Sequence, residues 1–108
     1  MPLISYDSVQ PVEMLPGVHR RTMTAGDHMM LIEVQLEDRA VVPLHTHPHE
    51  QTGYLVSGRL RFQVAGETRD LSPGDCWMVP GGLPHEVTAL EPSIAIDIFS
   101  PPREEYRS

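Results

Sequence analysis

A single cysteine, Cys76, stands in this chain of 108 residues, so no intrachain disulfide can form. Its neighbours Trp77, Met78 and Val79 make it read as a small buried hydrophobe rather than a redox or catalytic thiol. Basic residues are scarce too: eight Lys and Arg face fifteen Asp and Glu, a net charge of -7. That balance lacks the basic surface needed to neutralise phosphates, so neither nucleic acid nor an anionic membrane surface is an expected partner. A small anionic molecule would need a local cation, either an arginine or a metal ion. No apolar stretch approaches the roughly 20 residues of a membrane-spanning helix. The opening Met1-Pro2-Leu3-Ile4-Ser5-Tyr6-Asp7 lacks the basic region and apolar core of a signal peptide, so the expected location is cytoplasmic.

Sustained helical periodicity is also missing. Eleven prolines and eight glycines punctuate short alternating segments instead, and the chain reads as one all-β domain over residues 1–108, with 1–16 an extended, proline-bearing arm. The arm is expected to pack on its own domain or on a partner subunit. The clearest strand is 29–37, where Met30, Ile32, Val34 and Leu36 share a core face. Leu60, Phe62 and Val64 alternate with polar residues in the same way, and both segments are expected to pair as a hairpin with the strand carrying Gln51. Further strands are expected at 18–24, 41–47, 76–79, 86–90 and 93–99. Eight or nine short strands without helical crossovers imply a sandwich or barrel.

What the chain does have is histidine in a pattern. His45-Thr46-His47-Pro48-His49-Glu50-Gln51 is answered by His85, just after Pro80-Gly81-Gly82-Leu83-Pro84. Residues two apart on a strand share a face, so His45 and His47 aim together, and Gln51 returns to that face if the strand continues past Pro48. Three imidazoles and one carboxamide then converge on a divalent metal, with nitrogen ligands at roughly 2.0 to 2.2 Å, leaving positions open for water or substrate. Imidazole suits nickel, zinc, iron and copper. Glu50 has the opposite parity and faces away; His49 follows the turn at Pro48 and reads as a supporting or substrate contact rather than a ligand. In the last strand, Ile94, Ile96 and Ile98 take one face while Ser93, Ala95, Asp97 and Phe99 take the other. A carboxylate among small residues and one aromatic fits a cavity wall; the alternative is an exposed Asp97, with Arg103 paired to Glu104 or Glu105 on the surface.

These spacings resemble the two motifs of the cupin superfamily. The first runs His-x-His, three or four residues, Glu, six residues, Gly, and is matched by His45, His47, Gln51 and Gly58, with Gln replacing Glu. In the second, Gly74, Pro80, Gly82 and His85 stand in order, with Ala89 where Asn is usual and, before the first motif, Arg39 where Gly is usual. The resemblance implies a small jelly-roll barrel, a double-stranded β-helix, holding one divalent transition metal ion such as nickel, zinc, iron or manganese. A neutral Gln ligand would leave that ion more Lewis-acidic than Glu would.

Within cupins the chain is similar to the small KdgF-like family of pectin and alginate degradation, which opens 4,5-unsaturated uronates to linear 5-keto-4-deoxyuronates. That likeness extends through Pro84-His85-Glu86-Val87 and the tail 97–106, and it implies functional roles for Asp97, Phe99 and Arg103: acid or base, pocket wall, and carboxylate clamp. Two rivals remain open at this point. A quercetinase-like metal-dependent dioxygenase predicts a larger, more apolar pocket and no need for Arg103; a non-catalytic sugar-acid-binding module predicts binding without turnover. A homodimer is expected, because a barrel this small gains core by joining sheets across a two-fold axis.

Overall fold

A computed structural model describes residues 2–107; Met1, the first residue of the expected arm, and Ser108 lie outside the described residues. Ten strands run in chain order: β1 (Val12–Leu15), β2 (Val18–Ala25), β3 (Met30–Leu36), β4 (Val41–His45), β5 (Glu50–Ser57), β6 (Leu60–Val64), β7 (Glu67–Leu71), β8 (Cys76–Val79), β9 (His85–Ala89) and β10 (Ser93–Ser100). They form two antiparallel sheets, ordered β1-β2-β3-β10-β5-β8 and β4-β9-β6-β7. This is the all-β barrel that the alternating segments predict.

Alternation does what the pleat requires. Met30, Ile32, Val34 and Leu36 of β3 are buried while Leu31, Glu33 and Gln35 between them are partly exposed. On β10 Ser93, Ala95, Asp97 and Phe99 turn inward. The inner faces meet in a core built around Val18, Ile32, Leu55, Leu60, Phe62 and Val79. Within the arm, residues 6–8 make a single 3-10 turn and 12–15 pair with β2.

Three expectations are corrected. Neither β3 nor β6 pairs with β5: β5 lies between β10 and β8, and β6 lies between β9 and β7 in the other sheet. The Ser57-Gly58 turn therefore crosses between sheets. Gly58, at φ +93°, packs so closely on Ser93 that a built Cβ would lie 2.2 Å from its hydroxyl oxygen. The strand from Val41 ends at His45, and the chain bends through 46–49 before β5. Cys76 is exposed, because Trp77 and Val79 take the inward positions of β8 and leave Cys76 and Met78 outside. Strands β1 and β7 were not legible: Glu67–Leu71 is an edge strand exposed at four of its five positions, with no apolar alternation to mark it.

Candidate active site

His45 ends β4 and His85 begins β9, and the two are register partners in one sheet. His47 sits in the bend after β4, and Gln51 is the second residue of β5 in the opposite sheet. The four side chains thus converge from both sheets across the barrel mouth, not along one continuous strand. Two loops are locked together to achieve this. Gly82 N–H donates to the His47 carbonyl at 2.8 Å. Gly81 passes so near Pro48 that a Cβ would stand 2.3 Å from the proline carbonyl oxygen, so the absence of a side chain sets the approach.

The imidazole tautomers follow from their partners. His45 Nδ1 faces the Pro43 carbonyl at 2.8 Å, His47 Nδ1 the His49 carbonyl at 3.0 Å, and His85 Nδ1 the Leu83 carbonyl at 2.9 Å. A carbonyl only accepts, so each Nδ1 carries the proton and each Nε2 keeps a lone pair. His85 Nε2 is buried without a hydrogen-bond partner among the described residues. Ligand atoms of His45, His47 and His85 lie within 4.8 Å of one another.

Gln51 completes the set. Its Nε2 donates to Asp97 Oδ1 at 2.9 Å, so the amide turns its Oε1 toward His47 Nε2, 3.0 Å away. Two lone-pair atoms held that close repel unless a cation lies beside both. Ligands at right angles about an ion with bonds of about 2.1 Å stand about 3.0 Å apart. The three histidines and Gln51 therefore fit a divalent transition metal, and the backbone carbonyls behind the rings orient them as supporting partners do in metal sites. Burial, reinforced by the Arg103 charge, pulls the His47 pKa down to about 4, and burial lowers that of His85. Both rings are neutral near pH 7, as ligation requires.

Asp97 lies one layer below. Trp77 Nε1 donates to its Oδ1 at 2.8 Å, alongside the Gln51 amide. Among the described residues Oδ2 accepts no hydrogen bond. The carboxyl lines an interior cavity of about 70 Å³ together with His45, His85, Phe99, Arg103 and Tyr106. Burial raises its pKa, while the Gln51 and Trp77 hydrogen bonds and the Arg103 charge oppose that rise. Phe99 sets its ring edge-on to His47 at 5.6 Å, and the Arg103 guanidinium sits 5.2 Å from the Phe99 centroid. Arg103 lines the cavity and pairs with Glu105 at 3.2 Å, and the exposed Asp97 of the alternative reading is not found, since that carboxyl is buried. Arg103 Nε is buried without an acceptor among the described residues. His49 contributes its carbonyl to His47 and places its ring 6.5 Å from Phe99, while Glu50 is exposed.

Two residues that line the cavity, Trp77 and Tyr106, and one behind it, Arg20, were not read from the sequence. Trp77 is the donor that holds Asp97. Its signal was available, since an inward indole N–H needs an acceptor. Arg20 shares the inward parity of Val18, and a buried guanidinium on a core face calls for a reason. Tyr106, in the tail, roofs the cavity and offered no local pattern.

A family model described as the cupin domain matches residues 32–99. The pectin degradation protein KdgF of Dickeya dadantii (strain 3937) is 33% identical over 96 residues, covering 87% of each chain. The structure of KdgF from Halomonas sp. has a TM-score of 0.92 at 34% identity and covers 97% of each chain. Oxalate decarboxylase OxdC of Bacillus subtilis (strain 168) is 29% identical over 76 residues, which is 66% of this chain and 20% of that protein. A structure of that enzyme described for its Mn(II) centres has a TM-score of 0.78 at 23% identity, covers 89% of this chain and 28% of its own, and speaks to the fold alone. The matched stretch holds all four convergent side chains together with Asp97 and Phe99, and the chain belongs to the cupin family.

Proposed function

We propose that the protein is a metal-dependent cupin enzyme that opens 4,5-unsaturated uronate monosaccharides to linear 5-keto-4-deoxyuronates. The observation that carries this reading is the pairing, in one small cavity, of a buried carboxyl beside the Gln51 amide with a guanidinium whose Nε has no acceptor. Similarity to KdgF over nearly the whole chain supports the same substrate class.

In the reaction, Arg103 takes the substrate carboxylate in a planar, charge-assisted grip and fixes the ring orientation. A bound divalent ion, held by His45, His47, Gln51 and His85, supplies Lewis acidity at substrate oxygens. Asp97 Oδ2 accepts the anomeric hydroxyl proton; C1 becomes a carbonyl as the C1–O5 bond breaks, and the electron pair moves to O5. The resulting enolate then collapses to the C5 ketone as C4 takes up a proton, which Asp97, now protonated, returns. In the alternative route, hydration at C5, Asp97 instead takes its proton from the attacking water. Phe99 walls the cavity and keeps solvent from the developing oxyanion, where a dry setting strengthens every fixed charge.

Arg103 lines the cavity, which favours an anionic substrate over the rival dioxygenase, whose reaction has no need of that arginine. The test is to supply unsaturated galacturonate or guluronate to purified, metal-loaded protein and follow the conjugated-ene absorbance. Loss of absorbance with formation of the linear ketone is expected; unchanged substrate in the presence of a full complement of metal would overturn the reading.

A further inference from the structure

The chain beyond β10 doubles back across the barrel mouth. Pro102 is buried, and Arg103 and Tyr106 both line the cavity. This tail lies in no strand, so its position depends on side chains that reach it from elsewhere. They come from the inward face of β2. Arg20 Nη1 donates to the Tyr106 carbonyl at 3.0 Å and to Thr22 Oγ1 at 2.8 Å, and Nη2 reaches the Glu105 carbonyl at 3.5 Å. Thr22 Oγ1 donates to the same Tyr106 carbonyl. Arg107 Nη2 adds a bond to the Gly26 carbonyl just past β2 at 3.3 Å.

Two contacts carry this hold onward to Arg103. The Tyr106 ring lies 4.8 Å from the Arg20 guanidinium and 4.2 Å from that of Arg103, so both cations rest on one aromatic side chain. Glu105, whose carbonyl Arg20 reaches, turns its carboxylate onto Arg103 Nη2 at 3.2 Å. The tail's own turn closes through Tyr106 N–H to the Arg103 carbonyl at 2.9 Å. Arg20 therefore holds two of the residues that set where the Arg103 guanidinium stands, the third contact being Phe99.

We propose that Arg20 is a positioning residue: by clamping the Tyr106 and Glu105 carbonyls it keeps the tail closed and Arg103 over the cavity, so that affinity for an anionic substrate depends on a side chain in β2. This rests on the proposed reading of Arg103 as the carboxylate clamp. Thr22 is the second half of the clamp: its hydroxyl accepts from Arg20 and donates to the same Tyr106 carbonyl.

The test uses Arg20→Met, which keeps the length and loses the donors, Arg20→Lys, which keeps a donor and the charge, and Thr22→Val, which keeps the shape. Each is loaded with metal and measured for metal content, for KM and kcat with unsaturated galacturonate, and for tryptic release of the tail after Arg103, read by mass spectrometry. Arg20→Met is expected to raise KM about tenfold with kcat within about twofold, and to speed tail release about tenfold at full metal content. Thr22→Val should move both readouts the same way to a smaller degree, and Arg20→Lys should recover part of each. Unchanged KM in folded, metal-loaded Arg20→Met overturns the proposal, as does a fall in kcat at constant KM. Proteolysis separates this outcome from failure of the reaction itself. Faster tail release in a protein whose wild type leaves the sugar untouched supports the clamp and removes the ring-opening reading, whereas equal tail release in every variant overturns the clamp whatever the activity. Should Arg20→Met fail to fold, Thr22→Val and Arg20→Lys decide by the same two readouts.

Discussion

Asp97 of β10, Gly53 of β5 and Trp77 of β8 lie in one row across three adjacent strands. The indole crosses β5 to reach the carboxyl, and it can do so only because Gly53 has nothing to put in the way: a Cβ there would stand 2.1 Å from the ring. Gly53→Ala should therefore displace Trp77, cost about 1 to 3 kcal/mol as overpacking does, and shift tryptophan fluorescence as the indole loses its acceptor. Asp97→Asn keeps the volume and strand preference but removes the proton-accepting charge. Folding and metal content should survive, while turnover of unsaturated uronate falls on the order of a hundredfold or more in steady-state assays. Arg103→Lys should instead raise KM, since a point charge cannot reproduce the guanidinium fork. His85 is the one candidate ligand on β9, and among the described residues its Nε2 has no hydrogen-bond partner. His85→Ala should strip most bound metal, measured by elemental mass spectrometry, and should abolish the rise in melting temperature that added metal gives the wild type.

Among the elements, the two loops beside the candidate ligands tie the site together. His47 rides in the bend between β4 and β5, and His85 follows the Pro80-to-Pro84 loop; the Gly82 bond to the His47 carbonyl is the link between them. Gly81→Ala leaves every ligand in place but forces the loops apart at Pro48. It should weaken metal affinity by about 10 to 100-fold, the usual consequence of disturbing the support of a ligand, as read by chelator competition. Cys76 shows how the same β geometry misleads when both faces are apolar. The segment 76–79 is apolar throughout, so composition points to burial, yet β8 is an edge strand and only Trp77 and Val79 face the core.

For the whole molecule, the outer face of the larger sheet exposes large apolar side chains. Ile96 of β10 sits opposite Tyr54 of β5, and Ile98, Val56 and Met78 extend the same apolar face into solvent. The described residues of the arm leave Tyr54, Val56, Met78 and Ile98 exposed. Tyr6 folds over Arg21 and bonds Glu33, protecting the β2–β3 side of the same sheet. We expect a second copy to occupy the uncovered part, face to face about a two-fold axis, because a self-complementary apolar face closes the assembly. Light scattering at micromolar concentration should give a dimer, and Ile96→Lys should give a monomer.

The sequence by itself determined the strand alternation, the inward set Ala95, Asp97 and Phe99, and the donor types of the candidate metal site, because a period of two and the chemistry of a side chain are local properties. The tertiary structure decided the rest. Gln51 belongs to the opposite sheet from His45 and His85, β5 pairs with β10 and β8 rather than with β6, and Trp77 reaches Asp97 across a glycine. Arg20 finds a carbonyl 86 residues away. Such pairings are set by which apolar faces meet and by where the connections can close, and no short stretch of the chain contains that information.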